Sequence, residues 1–198
     1  MNIFILHKDP AIAAQMQCNK HVVKMIVESA QMLSTARRML DGKEYYDLSR
    51  NGRKVRRWLL DEHDNILYKA VHMNHPCTIW TRESKDNYIW HYKHFVALCD
   101  EYTLRYNKKH ATDSLLRDLL KTPPKNIPNV GLTEFRLAMQ NEPQCIVKGN
   151  PVESYKNYYV TKADRFSMVW TYRNKPQWFE NKLKKLLTFG SSFDIIDT

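Results

Sequence analysis

The chain has 198 residues, of which 43% are hydrophobic, and its formal net charge is +10. This length and apolar content exclude a disordered polypeptide and suffice for one domain with a sizeable core. The positive charge favours a polyanionic partner (DNA, RNA or a nucleotide), and a basic surface without such a partner is the alternative. Only five glycines occur, which favours helices over a hairpin-rich sheet protein. We predict a mainly α single compact domain over residues 1–198, built on two long helices with at most a minor short strand pair.

Cysteine spacing and hydropathy indicate in which cellular compartment the protein is expected. The four cysteines, at positions 18, 77, 99 and 145, lack the density of a disulfide scaffold, which indicates reduced thiols inside a cell. The sequence contains neither a signal peptide nor an apolar run long enough to span a membrane. We therefore expect a cytoplasmic protein. Cys18, His21, His75 and Cys77 supply ligand types that suit zinc, but their spacings match no standard pattern, and we predict no metal and no cofactor.

The first long helix is predicted from Pro10 to Asp41, because Asp9 is a suitable N-cap and Gly42 a suitable stop. The run NIFIL at residues 2–6 precedes it, as a short strand or a buried extended lead-in. Beside the apolar stripe of the helix, polar residues recur every three or four positions and therefore share one face. These residues are Gln17, His21, Lys24, Glu28, Gln31 and Thr35. The row is either a solvated flank with ion pairs or the floor of a catalytic or binding site.

A basic segment follows the first helix. It contains Arg50, Arg53, Lys54, Arg56 and Arg57 within eight positions, just before an apolar Trp-Leu-Leu run. We interpret it as a short basic helix or loop that contacts phosphates, with a solvated charge run as the alternative.

The second long helix is predicted from a cap at Asn74 or His75 to about Tyr106. It repeats the arrangement of the first helix, with an aromatic stripe flanked by polar positions. That flank consists of Trp80, Ser84, Asn87, His91, His94 and Arg105. If the two helices pack side by side, their polar rows face each other across a cleft.

The C-terminal part alternates between helices and loops. We predict a third helix from Ser114 to Lys121, an irregular connection with one helical turn around Phe135, and a helix that starts at Pro151. A last amphipathic helix is expected from Phe179 to Leu187, followed by a frayed or docked tail. Tyrosines and tryptophans alternate with cations throughout residues 155–178. This mixture suits base stacking and phosphate pairing, and packing of the aromatic rings in the core is the alternative.

General acid–base chemistry is the reaction type that the residues favour, because no P-loop, GxSxG or GxGxxG motif occurs. We predict Glu28, His21 and Lys24 as catalytic groups. Predicted substrate-binding residues are Gln31, Asn74, His75, Trp80, Arg82, Asn87, Tyr88, His91 and Arg105. Predicted nucleic-acid-binding residues are Arg53, Lys54, Arg56, Arg57, Lys108, Lys109, Tyr155, Tyr158, Tyr159, Lys162, Arg165, Arg173 and Trp178.

Several motifs carry a resemblance that covers most of the chain. They include CNKHVVKMIVESAQMLSTA, NHPCTIWTRESKDNYIWHY and PVESYKNYYVTKADRF. With them the chain resembles a family of small proteins from tailed phages of the T4-like and cyanophage types. It also resembles, loosely, the helical glycosylase-like proteins of phage thymine hypermodification. The first resemblance implies that the following residues lie in family motifs: His21, Lys24, Glu28, His75, Trp80, Arg82, Asn87 and Tyr88.

The predicted function is that of a phage-type enzyme that acts on a nucleic-acid base or nucleotide by N-glycosidic or group-transfer chemistry. It would work in the cytoplasm of the host cell. One alternative is a non-catalytic protein that binds nucleic acid or a host protein. The other is an inhibitor that sequesters a nucleotide without turnover. The sequence does not predict the oligomeric state.

Overall fold

The computed structural model describes residues 1–190. It is mainly α-helical with a single pair of antiparallel strands in the described part, which confirms the predicted fold class. The helices and strands are α1 (Pro10–Gln15), α2 (Asn19–Asp41), β1 (Lys43–Leu48), β2 (Lys54–Leu59), α3 (Pro76–Glu83), α4 (Lys85–Tyr106), α5 (Ala111–Leu120), α6 (Pro151–Val160) and α7 (Gln177–Gly190). None of the helices within residues 1–190 combines the length and apolar character that a bilayer crossing requires.

The predicted first helix is wrong as a continuous element, because the chain turns between α1 and α2. Asp9 and Pro10 cap α1 as expected, and the Asp9 carboxylate accepts from the backbone N–H groups of Ala11 and Ile12. At the break, the N–H of Cys18 donates to the Tyr159 hydroxyl, and the N–H of Asn19 donates to the Val169 carbonyl. Both donors would otherwise continue the helical ladder. Groups far along the chain therefore interrupt the helix.

The predicted second helix is likewise two helices, divided at Ser84. His75 caps α3 as predicted, since its side chain accepts from the N–H of Cys77 with Pro76 at the first helical position. Ser84 has an extended backbone, caps α4 through the N–H of Asp86, and donates from Oγ to the carbonyl of Gly131. The contact with Gly131 stabilises this break from a distant loop.

The basic segment forms a β-hairpin, so the predicted basic helix or loop is wrong. Strands β1 and β2 pair in register from Lys43 with Leu59 to Leu48 with Lys54. Gly52 has a φ of 71°, a conformation that glycine adopts without a steric penalty. The Ser49 N–H donates to the Arg53 carbonyl at 2.8 Å and closes the turn.

Several C-terminal boundaries differ from the prediction. Helix α5 begins at Ala111 with His110 as its cap, three residues earlier than expected. The predicted helical turn around Phe135 is wrong, because this segment is irregular and a 3₁₀ turn occurs instead at Pro143–Cys145. Helix α6 passes into a 3₁₀ turn at Thr161–Asp164. Helix α7 extends beyond its predicted ends at both sides, and the predicted tail, residues 191–198, lies outside the described residues.

The core surrounds α2, which packs against α3, α4 and α5, while α1 packs on α4. The N-terminal run is the buried lead-in rather than a strand: Ile3, Phe4, Ile5 and Leu6 are all buried. Asn2 shapes this segment, because its Oδ1 accepts from the N–H groups of Ile3 and Phe4. Phe4 takes a φ of 55°, which is rare for a bulky side chain. The lead-in thereby brings the first two residues against the middle of α2.

Candidate functional site

The candidate site is centred on the carboxylate of Glu28, in the middle of α2. Only 13% of its side chain is exposed. Its Oε2 accepts from the N–H of Asn2 at 2.8 Å and lies 3.8 Å from the amino group of Met1. Its Oε1 lies 3.4 Å from Nζ of Lys24, one helical turn earlier, and the Lys24 side chain is exposed. A half-enclosed carboxylate therefore has an amine on each side and an open edge toward solvent.

A buried hydrogen-bond network holds the lead-in above Glu28. The carbonyl of Ile3 accepts from Nε2 of Gln17 at 3.1 Å, and Nε2 of His94 lies 3.2 Å from the same oxygen. Burial lowers the pKa of His94 to about 4, so the ring is neutral at pH 7. One consistent arrangement has Nδ1–H donating to the carbonyl of Pro10 and Nε2 accepting from Gln17. These contacts fix the lead-in and thus the distance between Met1 and Glu28.

Two histidines from the loop before α3 border the same region. His75 is half-buried, and burial is the main cause of its lowered pKa. The positive amino group of Met1 and neighbouring His72 lower this pKa further, while Glu28 opposes them. The loop itself is tied to α2, because the Thr35 hydroxyl accepts from the N–H of Val71. His75 is therefore a neutral group close to the amine and the carboxylate.

The thiol at the start of α3 is not an activated nucleophile. Cys77 is buried, and burial raises its pKa to about 11. Its sulfur lies 3.7 Å from the Tyr155 hydroxyl, within the core. Among residues 1–190, no three His, Cys, Asp or Glu side chains come together in a group that could hold a metal ion.

His21 is buried at some distance from Glu28. The two residues are separated by two helical turns, or roughly 10 Å along α2. The His21 ring packs on Phe4 and Phe166, and its Nδ1 lies 2.8 Å from the hydroxyl of Tyr159. Burial, reinforced by the charges of nearby lysines, lowers the pKa of His21 to about 4. The structure thus brings Lys24 to Glu28 and places His21 in an aromatic cluster.

The polar row of α3 and α4 does not face the row of α2 across a cleft, so that expectation is wrong. Trp80, Asn87, Tyr88, His91 and Arg105 are each at most 5% exposed. The amide of Asn87, for example, donates to the Trp80 carbonyl and accepts from the N–H of Thr133. These side chains are buried inside the protein, and we do not retain them as substrate contacts.

The other predicted substrate residues lie at or near the surface. Gln31 is half-buried on the face of α2 that carries Glu28, and Asn74 is exposed in the loop that leads to His75. Arg82 is half-buried and donates to the carbonyl of Met73 at 2.8 Å. Of the predicted set, Gln31 shares the helix face of Glu28, and His75 is near enough for the charge of Glu28 to act on its pKa, whereas Arg82 is bonded to the loop at Met73.

The predicted nucleic-acid contacts fall into three places. Arg53, Lys54, Arg56 and Arg57 belong to the hairpin beyond the C-terminal end of α2. Lys108 and Lys109 are exposed just after α4, whose last turn meets the start of α2 through Arg105 and Gln17. The two basic groups are therefore at opposite ends of α2.

The third place is the C-terminal aromatic region. Tyr155 and Tyr159 are fully buried there, so their rings pack in the core as the alternative interpretation predicted. Lys162 is also buried, 3.5 Å from the centre of the Tyr158 ring. The remaining predicted contacts in this region are at least partly exposed or form an ion pair. Trp178 is half-buried, Arg165 is exposed, and Arg173 forms an ion pair with Glu101.

Sequence reasoning missed the contribution of the first two residues. The signal available was weak: a polar Asn2 directly before an apolar run. It also assigned Gln17 and His94 to polar helix flanks, whereas both are fully buried and position the lead-in.

The comparison with protein families concerns the part of the chain that contains Glu28 and its two amines. Residues 1–114 match the family model described as "Pyrimidine dimer DNA glycosylase". The match includes Met1, Lys24, Glu28 and His75, and it extends from the lead-in to the beginning of α5. No curated protein and no solved structure matches the chain. The loose glycosylase-like resemblance is confirmed at this level, and DNA is the implied substrate or partner. Because the match covers more than half of its 198 residues, the chain belongs to the pyrimidine dimer DNA glycosylase family.

Proposed function

We propose that this protein cleaves the N-glycosidic bond of a pyrimidine dimer in DNA, with Glu28 as the central catalytic group. The observation that carries the proposal is the position of its carboxylate, between the amino group of Met1 and Nζ of Lys24 and within the matched region. The geometry supplies an anionic group, two amines and access from solvent in one place.

The carboxylate meets the main demand of glycosidic bond cleavage. As the base departs, positive charge develops on C1′ and O4′ of the deoxyribose. A negative group held in a partly dry position stabilises this charge more than it would in water. The N–H of Asn2 orients Glu28 for this role through a 2.8 Å hydrogen bond.

Either neighbouring amine can serve as the nucleophile. The amine attacks C1′ in its uncharged form while Glu28 is an anion, and an N–C1′ bond forms as the glycosidic bond breaks. The bonding electron pair leaves with the pyrimidine, which takes up a proton. Glu28 then accepts the proton that the attached nitrogen loses and passes it to O4′, so that the sugar ring opens to a protonated imine and O4′ becomes a hydroxyl group. Glu28 thus acts as base toward the amine and as the anion beside C1′.

The test uses two duplexes of identical sequence, one with a single cyclobutane pyrimidine dimer and one undamaged. The cyclobutane ring keeps the cleaved base attached to its neighbour, so cleavage is detected as an alkali-labile strand break. We expect breaks at the dimer only. Binding of the dimer duplex without any break would overturn the proposal and favour the non-catalytic binding alternative.

A trapping experiment identifies the amine. Borohydride added during turnover reduces the imine to a stable protein–DNA adduct, and peptide mapping by mass spectrometry locates it. We expect the adduct on the amino group of Met1 or on Lys24. An adduct on any other lysine would exclude these two amines as the nucleophile, and no adduct in spite of rapid cleavage would exclude the amine mechanism.

A further inference from the structure

The hairpin formed by residues 43–59, called here the basic hairpin, is a strongly charged projection outside the candidate site. It contains six lysine or arginine residues and two acidic residues, a net charge of +4 out of +10 for the chain. Arg50 and Arg53 are exposed at its turn, and neither takes part in a salt bridge with any described residue. An unpaired cationic tip of this kind attracts a polyanion.

The strands of the basic hairpin are exposed on both faces over most of their length. Tyr46 and Leu48 are 59% and 66% exposed, and they lie on one face with their partners Arg56 and Lys54. Nζ of Lys54 lies 4.1 Å from the centre of the Tyr46 ring. This face combines apolar surface with cations, and no described segment of the chain covers it. A two-stranded ribbon of this form fits the major groove of duplex DNA.

The root of the basic hairpin is firmly attached to the body of the protein. The buried guanidinium of Arg38 donates to the carbonyls of Trp58, Leu67 and Tyr68. Gly42 allows close approach at the start of β1, since a side chain there would collide with the Arg38 carbonyl. A projection with a fixed root and an exposed tip can hold a ligand at a defined distance from the rest of the molecule.

That distance can be given relative to Glu28. Thirteen residues of α2 separate Glu28 from Asp41, which corresponds to roughly 20 Å along the helix axis. The loop after the basic hairpin returns along α2, with contacts at Arg38 and Thr35 before it reaches His75. Thr35 lies about two helical turns after Glu28, so the loop that links the hairpin root to His75 runs along the face of α2 that carries Glu28. Along B-DNA, this separation is about six base pairs.

We propose that the basic hairpin is a second DNA-contact surface, which binds the substrate duplex to one side of the dimer, with its root about six base pairs away from the lesion. Arg50 and Arg53 contact phosphates, while Tyr46 and Leu48 face the groove. The inference rests on the proposed function, because it takes the dimer to lie at Glu28. It also defines the substrate class as duplex DNA with an intact flank, rather than single-stranded DNA.

The test combines a hairpin variant with shortened duplexes. Dimer duplexes carry about 12 base pairs on one side of the lesion and either about 3 or about 12 on the other, in both orientations. For the natural chain, we expect extension of one flank to tighten binding about tenfold, and extension of the other to matter little. The double variant Arg50→Ala/Arg53→Ala should lose this gain, and its salt slope should fall by about 2.

The matched control is Lys108→Ala/Lys109→Ala, which removes the same charge at the opposite end of α2. It should retain the response to flank length. Retention of the response by the hairpin variant, or an equal loss in the control, would overturn the inference. Thermal unfolding checks that both variants fold. If the natural chain cleaves no dimer, the proposed function fails, whereas the flank dependence of binding still reports on the hairpin.

Discussion

Two polar rows, on α2 and on α3–α4, look alike in the sequence and differ in the structure. The α2 row is partly exposed at its middle, where Lys24, Glu28 and Gln31 reach the surface beside the lead-in. In the other row, Asn87 and His91 are fully buried and bonded to other parts of the chain. A polar residue on a helix is available for chemistry only where the neighbouring segments leave it exposed.

The difference arises from the packing partners. Helix α4 is enclosed by α1, α2 and the loop around Thr133, so its polar groups must find partners within the protein. On the face of α2 that carries Glu28, the short lead-in supplies an N–H and an amine to the carboxylate and leaves Lys24 exposed. One row is thus a stabilising network, and the other contains a carboxylate that remains accessible to a substrate.

The largest expected effect tests the row on α2, called here the open row. Glu28→Gln should lower kcat at least 100-fold, or about 3 kcal/mol in transition-state stabilisation, because the anion is lost. The glutamine still accepts from the N–H of Asn2, so the melting temperature should change by no more than about 2 °C. Cleavage of the dimer duplex and thermal unfolding provide the two readouts. Glu83→Gln, a half-exposed carboxylate paired with Arg136, is the control and should retain its activity.

The second prediction tests the buried row on α3–α4, called here the closed row. Asn87→Ala should lower the free energy of unfolding by about 2–3 kcal/mol, because the N–H of Thr133 and the Trp80 carbonyl lose their partner. Turnover per folded molecule should stay within about twofold of the natural chain, since the side chain is fully buried. The control is Gln31→Ala, at a half-exposed position, which should change stability by less than about 0.5 kcal/mol. A reduced kcat in a folded Asn87→Ala protein would contradict the division between the rows.

The third prediction concerns pH, through His94. Burial lowers its folded-state pKa to about 4, whereas in the unfolded chain the group titrates near 6.5. Below pH 6.5 the unfolded state therefore binds more protons, and stability falls as the pH decreases toward 4. We expect a loss of roughly 2 kcal/mol at pH 5 from this residue, with a similar contribution from His21.

Urea unfolding at pH 5 and pH 7 measures this effect. Between pH 5 and pH 7, the slope of the free energy of unfolding against pH counts the protons taken up on unfolding. His94→Gln should lower this count by nearly one proton, whatever its effect on stability at pH 7. His63→Gln, at an exposed position, should leave the dependence unchanged. An unchanged dependence in His94→Gln would show that the buried ring is not the titrating group.

The smallest expected effect is on Lys24. Its side chain is 63% exposed, and an exposed ion pair one helical turn apart contributes little to stability. Lys24→Gln should therefore change the free energy of unfolding by less than about 0.5 kcal/mol. Any weakening of DNA binding should diminish as the salt concentration is raised. A large loss of stability would mean that the open row is more integrated into the fold than its exposure indicates.

Local patterns made part of the candidate site predictable. Lys24 and Glu28 are four residues apart on a helix, so their contact follows from helical geometry alone. The cap of α3 at His75 and Pro76 was equally readable, because the two residues meet the requirements of a helix start within a few positions. The origin of the chain from a tailed phage stays a prediction.

Other features depend on segments that are distant in the sequence. The break before α2 requires Tyr159 and Val169, and the break before α4 requires Gly131. The hairpin was missed because its strands are short, exposed and rich in cations, without the alternation that marks a half-buried strand.

By itself, the sequence determined the helical class, the positive charge and the placement of Lys24 and Glu28 on one helix face. These properties follow from composition and from spacings within a few residues. Only the tertiary structure decided that the lead-in covers Glu28, that the row containing Asn87 is closed, and that the basic segment projects as a hairpin. Each of these depends on which distant segments pack together, and a helical pattern states only which side chains share a face.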